Sequence, residues 1–273
     1  MTPAGHRNIK GTYPTFSASD PMIQARQTVL EELRAQIGRL ERGSPRQPLV
    51  LPFGLPVIDR RLPRQGLVRG ALHEVAGGSL GAEHGAAAAL FAAGVLARLD
   101  GPILWCLTRR DLFAPGIAAA GLHPDRVIYV EAGDEKHILL CMEEGLRHAG
   151  LAGVVGEVSR LGMTASRRLQ LAAEASGVTA FVLRRWRNAA AASDFGQPTA
   201  ATTRWRVTAL PATPLPVAGV GRPRWLVELI RSRAGECAEC EVEACDAQGR
   251  LGLPAELEHR SVASADGLRS AIA

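Results

Sequence analysis

The sequence predicts an α/β fold: a mostly parallel sheet flanked by helices, with an antiparallel extension near the C-terminus and a helix ahead of the core. Three observations predict it. Between residues 71 and 184, apolar runs of strand length alternate with helix-period stretches, the pattern of a sheet covered on both faces. The stretch Ala71 to Leu99, ALHEVAGGSLGAEHGAAAALFAAGVLARL, is a short strand, a glycine-rich turn and an alanine-rich helix. Past residue 203 the strand-like runs follow one another with no helix between them.

The elements follow in order. Residues 1–19 are polar and rich in Gly, Pro, Ser and Thr, and read as a flexible lead-in. Asp20-Pro21 is a helix start, with Asp as cap and Pro in the first turn. The helix to about Arg42 sets Ile23, Leu30, Leu33, Ile37 and Leu40 on one face, and Gly43 to Pro48 is a linker. The core, residues 49–255, opens with an extended entry and a helical turn near Val57–Leu62, then the strand of the glycine turn, Ala71 to Ala76. Strands are expected at Ile103–Leu107, Arg126–Glu131, Gly153–Val158 and Thr179–Arg184. Helices are expected at Asp111–Gly121, Glu135–His148 and Ser166–Ser176. Asn188–Thr203 has no apolar period and reads as a mobile loop. Trp205–Leu210, Arg224–Arg231 and Cys240–Cys245 read as the antiparallel extension, and 256–273 as a flexible tail.

Composition narrows the class. At 273 residues and 47% hydrophobic, the chain can bury a sizeable core. No apolar run reaches membrane-spanning length, and the N-terminus lacks the apolar region of a secretory signal. Five cysteines, odd in number and mostly in apolar contexts, fit reduced thiols in a cytoplasm. The net charge of +5 is unevenly spread: residues 184–233 carry a net +7 and residues 234–273 a net −5. That asymmetry suits an acidic partner, protein or nucleic acid.

The glycine turn has the layout of a phosphate-binding loop without its chemistry. Such a loop reads G-x-x-x-x-G-K-[ST], with the lysine on the β/γ phosphates and the hydroxyl on magnesium. With Gly77 as the first glycine, and Gly78 and Gly81 inside the turn, the last three positions are Ala82, Glu83 and His84. A carboxylate in the lysine position repels phosphate. The same turn could also serve only as a tight strand-to-helix bend.

Two other patterns are chemical candidates. Tryptophan stands beside arginine three times, in Arg185-Trp186-Arg187, Arg204-Trp205-Arg206 and Arg224-Trp225. Cations interleaved with aromatic rings suit single-stranded nucleic acid or a protein interface. Alternation along a strand, with Trp inward and Arg outward, would produce the same pattern. Cys237, Cys240 and Cys245 invite a zinc reading that needs a distant fourth ligand such as His259. A half-buried strand accounts for them equally, and no bound metal is expected.

The order GLPVIDRRL…GLVRGALHEV, degenerate loop, strand, loop and late strands resembles the RecA-like ATPase core. The block DLFAPGIAAAGLHPDRVIYVEAGDE and the closing WLVELIRSRAGE…EVEACDAQGRLGLP resemble the ImuA family over roughly residues 20–255. These are RecA-like accessory proteins of a bacterial mutagenic translesion-synthesis cassette. Carried over by position, the resemblance puts the loop lysine and threonine at Glu83 and His84. The catalytic glutamate falls near Arg109, the magnesium-site aspartate at Glu157 and the γ-phosphate-sensing glutamine near Arg185. Glu157 alone could still hold a metal through water, or could simply end its strand.

The resemblance implies a non-catalytic adapter without ATP as cofactor. Its partners would be an ImuB-like Y-family subunit and RecA, and through them an error-prone polymerase. Contacts are expected at Leu30, Leu33 and Ile37 or on the C-terminal strands, with no membrane involved. Alternatives are a recombination mediator that binds ATP or single-stranded DNA through the 184–233 basic region, and a cell-division inhibitor of the SulA type.

Overall fold

The computed structural model describes residues 49–186, 188–212, 219 and 221–254. The expectations for residues 1–48, including the helix bearing Leu30, Leu33 and Ile37, and for the tail with His259, lie outside the described residues. Ten strands and six α-helices are described. In chain order they are β1 (Val50–Leu51), α1 (Pro56–Asp59), β2 (Leu67–Val68), β3 (Leu72–Gly77) and α2 (Ala82–Ala97). Next come β4 (Ile103–Leu107), α3 (Ala114–Ala119), β5 (Val127–Glu131), α4 (Glu135–Leu146), β6 (Gly153–Val158) and α5 (Met163–Ser176). The last are β7 (Thr179–Arg184), α6 (Ala189–Ser193), β8 (Thr203–Leu210), β9 (Arg224–Ser232) and β10 (Ala238–Glu243).

The main sheet has eight strands in the order β10-β9-β8-β3-β7-β6-β4-β5. From β8 to β5 every pairing is parallel, and the β8–β9 and β9–β10 pairings are antiparallel. The central strands β3, β6 and β7 are buried at every residue, as expected of strands covered on both faces. In β9 alternate residues are buried, so Trp225, Val227 and Leu229 face the core.

Helix α2 is apolar all round because both its sides are covered. Beneath it lie β3 and β8, where Phe91 stacks on Phe53 at 5.9 Å and meets Trp205 at 5.5 Å. Above it sits the turn Asp246–Arg250, which approaches so closely that a Cβ on Gly249 (φ +72°) would collide with the Gly94 carbonyl oxygen. Its C-terminal end is capped by Arg126, which donates to the carbonyls of Ala97 at 2.8 Å and Gly101. At the entry, Asp59 accepts the backbone N–H groups of Phe53 (2.7 Å) and Gly54 (2.9 Å), folding GLPVID back on itself.

Two expectations are corrected. Strand β8 belongs to the parallel sheet, paired with β3 from His73↔Thr203 to Gly77↔Val207, so the antiparallel extension begins only at β9. The reason is the connection: a parallel neighbour needs a crossover of about a dozen residues, and the segment after β7 supplies it. That segment, Asn188–Thr203, is not a loose loop. Asn188 caps α6, a 3₁₀ turn follows at Asp194–Gly196, and Ala191, Phe195, Thr199, Thr202 and Thr203 are buried.

Candidate functional site

The C-terminal ends of the parallel strands are where α/β sheets gather their ligands, and the sequence candidates converge there in part. The glycine turn runs from the end of β3 into α2, with Gly81 as a cap residue lacking a side-chain cap bond. Two of its backbone donors are engaged: Gly78 N–H donates to Val207 O at 2.9 Å, and Gly81 N–H points to the exposed Ser79 Oγ at 3.4 Å. His84 Nδ1 accepts the Ala209 N–H at 3.0 Å, tying α2 to β8. Thr208 lies against Gly78 so closely that a Cβ there would strike its side chain. The Glu83 carboxylate, largely exposed, folds back against Gly81 and places a negative charge at the helix N-terminus.

Beside this turn, the ends of β4, β6 and β7 enclose a cleft of ≈ 320 Å³ lined by Thr108, Arg109, Asp111, Glu157, Arg185 and Trp186. Glu157, 4% exposed, accepts Trp105 Nε1–H at 2.9 Å on one oxygen and Arg185 Nη1–H at 2.8 Å on the other. Arg185 also grips Asp111 with both terminal nitrogens, each at 2.7 Å. Such a two-pronged guanidinium–carboxylate contact is the strongest form of this pair. The Arg185 hydrogen bond holds the Asp111 carboxyl below the usual carboxylate range. Burial alone would lower the Arg185 pKa, yet the bonds and charges of Asp111 and Glu157 leave it raised. A guanidinium therefore neutralises the one carboxylate at a metal position. Arg109, at the catalytic-glutamate position, is exposed on the same cleft.

A second ionic cluster lies under the 188–203 segment. Glu74, buried in the middle of β3, takes Arg184 Nη1–H at 2.9 Å, Arg204 Nη2–H at 3.1 Å and the hydroxyl of Thr199. Arg184 also bonds the Ser159 carbonyl at 3.1 Å and pairs with Asp194. Phe195 is flanked by the guanidinium carbons of Arg204 at 5.1 Å and Arg184 at 5.6 Å, and meets Trp186 edge-on at 5.4 Å. These contacts pin the crossover to the sheet.

The tryptophan–arginine pattern does not assemble into one exposed platform among the described residues. Trp205 and Trp225 are core residues, 0% and 2% exposed, and Arg204 is buried on Glu74. Arg206 reaches Glu228 at 3.4 Å, and Arg224 pairs with Glu241. Trp inward and Arg outward along the strands accounts for Trp205, Trp225, Arg206 and Arg224, whereas Arg204 is buried on the face opposite Trp205. Trp186 is half-buried and Arg187 lies outside the described residues. Cys240 sits on β10, where burial pushes its thiol up to about 11, and the Cys237 thiol faces the Ile230 carbonyl at 3.0 Å. No three His, Cys, Asp or Glu side chains converge on a metal-sized site among the described residues.

Sequence reasoning missed Asp111, read only as a helix start, and the Glu74–Arg184–Arg204 cluster. The signal for the latter is a lone carboxylate inside the apolar run ALHEVA, which a buried strand tolerates only when paired.

Six parallel strands with α2 rising from a glycine turn, and antiparallel strands added beyond β8, define a RecA-like α/β protein. The crystal structure of the RadB recombinase superposes with a TM-score of 0.51 at 14% identity, covering 74% of this chain and 98% of that one. No family model matches the chain. Protein ImuA of Caulobacter vibrioides strain NA1000 / CB15N is 40% identical over 206 residues, 72% of this chain and 84% of the relative. Protein ImuA of strain ATCC 19089 / CIP 103742 / CB 15 matches to the same extent. The chain belongs to the ImuA family.

Proposed function

We propose that this protein is a non-hydrolysing, RecA-like adapter of cytoplasmic DNA-damage mutagenesis. It would bind an ImuB-like Y-family subunit, and RecA, in support of error-prone translesion synthesis. The observation that carries the reading is the state of the glycine turn. A magnesium nucleotide needs free loop N–H groups, a cation at the lysine position and a carboxylate open to the metal. Here Gly78 N–H is spent on Val207, Glu83 stands where the lysine should, His84 is tied to β8, and Arg185 covers Glu157. These residues do not fit the nucleotide.

Membership of the ImuA family supports the partners, and the burial of Trp205 and Trp225 removes most of the stacking surface a single-strand DNA reader would use. Two measurements test the reading. Millimolar Mg-ATP should leave the midpoint of thermal unfolding unchanged, whereas a ligand at a hundred times its Kd would add about 2.7 kcal/mol. The tagged chain should copurify with the ImuB-like subunit without added ATP. A clear ATP shift, or failure to copurify, defeats the adapter reading.

A further inference from the structure

The two edges of the sheet are treated differently. The β10 edge carries Glu239, Glu241 and Glu243, and its end is bridged by Gly252. Charged residues on an edge strand are a standard guard against pairing with other chains. The β5 edge, Val127–Glu131, has no charge before its last residue, and it exposes Ile128 (51%) and Tyr129 (41%) on opposite faces. Its only strand partner among the described residues is β4.

The backbone of β5 is equally open. Ala132 N–H donates to Leu107 O at 2.9 Å, so the even-numbered amides 128, 130 and 132 face β4. By alternation, Val127, Tyr129 and Glu131 turn their C=O groups outward, as Tyr129 and Glu131 do their N–H groups, while the Val127 N–H is taken by the Pro124 carbonyl. The surroundings are acidic. Between residues 125 and 135 stand Asp125, Glu131, Asp134 and Glu135, against Arg126 alone, whose guanidinium is turned onto the end of α2. Arg110 is paired with Glu131, and Lys136 follows the stretch.

We propose that the β5 edge is a docking strand for an extended segment of a partner protein, apolar in its middle and carrying Lys or Arg at both ends. The segment adds a ninth strand through the outward carbonyls of Val127, Tyr129 and Glu131 and the N–H groups of Tyr129 and Glu131, and its apolar side chains cover Ile128 and Tyr129. This deepens and rests on the adapter reading. A second copy is the poorer occupant: antiparallel pairing about Tyr129 sets Asp125 of one copy opposite Gly133 of the other, one residue from Asp134, acid near acid.

The test uses the full chain and two synthetic peptides, Lys-Lys-Val-Thr-Ile-Thr-Val-Lys-Lys and the same sequence with Glu in place of each Lys. Amide exchange is read at Tyr129 and Glu131, with the inward amides of Ile128, Val130 and Ala132 as the folding control. The basic peptide should slow the two outward amides about tenfold, and the acidic one should not. Tyr129→Pro, which removes an outward donor, should abolish the effect while sparing the control amides. No slowing by the basic peptide, or equal slowing by both, overturns the proposal. Outward amides already protected without peptide also overturn it, through a second copy if protection grows with concentration and through the chain's own segments if it does not. Peptide capture without copurification of the ImuB-like subunit would leave this surface standing and defeat the adapter reading.

Discussion

Acid should unload stability through one buried histidine. His73, fully buried on β3, lies between two partners: its Nδ1 is 2.7 Å from Thr203 Oγ1 and its Nε2 is 2.8 Å from Val68 O. The tautomer follows from the ends of the chain. Trp205 Nε1 can only donate, and it reaches Thr203 Oγ1 at 2.7 Å; a carbonyl can only accept. In the neutral ring that burial favours, Nε2–H donates to Val68 O and Nδ1 accepts from the Thr203 hydroxyl, whose oxygen still accepts from Trp205. Burial drives its pKa from 6.5 down to about 4, against the opposing pull of the Val68 bond. Because the folded pKa lies below the unfolded one, the unfolded chain binds the proton more readily. The histidine's contribution is then fully present above about pH 6.5 and is lost as pH falls toward 4. Between pH 7 and pH 5 the loss is about 2 kcal/mol, and it tends to about 3 kcal/mol at lower pH. Urea unfolding across that range, compared with His73→Gln, isolates the contribution, since the variant loses only the carboxylate-dependent part. A His73 ring resonance that titrates with an ordinary midpoint near 6.5 in the folded protein would refute the reasoning.

Three further outcomes follow from the site and its supports. Arg185→Ala strands Glu157 beside Trp105 and frees Asp111; the arginine is partly solvated, so screening reduces the cost to about 1–3 kcal/mol, read as a lowered urea midpoint. In a double-mutant cycle with Asp111→Ala the two losses should fail to add; strict additivity would show that the pair is not coupled. Glu74→Gln leaves Arg184 and Arg204 buried with one carboxylate fewer and should cost about 3 kcal/mol or more, with new protease cleavage inside 188–203; an unchanged midpoint would mean the cluster does not hold the crossover. Gly249→Ala combines a left-handed backbone with a collision against Gly94 and should lower stability by about 2 kcal/mol or more, whereas Gly150→Ala, with open space around it, should sit within about 0.5 kcal/mol of the parent.

The strands were legible where one physical requirement dominated. Ile103–Leu107, Gly153–Val158 and Thr179–Arg184 are apolar runs that must be buried on both faces, and their limits match the observed β4, β6 and β7. Helix α4 was readable from period alone, since Ile138, Met142 and Leu146 recur on one face. The direction of β8 was not, because it depends on the path of a crossover whose anchors are Phe195 and a few threonines rather than an apolar stripe. The glycine turn and the missing lysine were plain in the residues. The Arg185–Asp111 contact was hidden, for the two residues are 74 positions apart and meet only because β4 and β7 flank β6.

The same distance explains how a RecA-like core keeps its form on the adapter reading. In a nucleotide-bound loop, phosphate would hold the helix N-terminus and a metal would balance the strand-end carboxylates. Here each of those positions is met by a covalent part of the chain. Glu83 supplies the negative charge at α2, His84 and Gly78 fasten the turn to β8, and Arg185 supplies the positive charge at Glu157. On the adapter reading these tethered groups, which cannot dissociate, leave the turn no ligand-free state to relax into and no hydrolysis to sense. A partner that recognises this face would meet the same surface in every phase of the cell's nucleotide balance, which suits a scaffold and not a switch. Arg185→Ala bears on this directly: removing the tethered cation should let Mn²⁺ raise the unfolding midpoint of the variant through Glu157 and Asp111, with no such shift in the parent. Equal indifference to Mn²⁺ in both proteins would show that the guanidinium is not standing in for a metal.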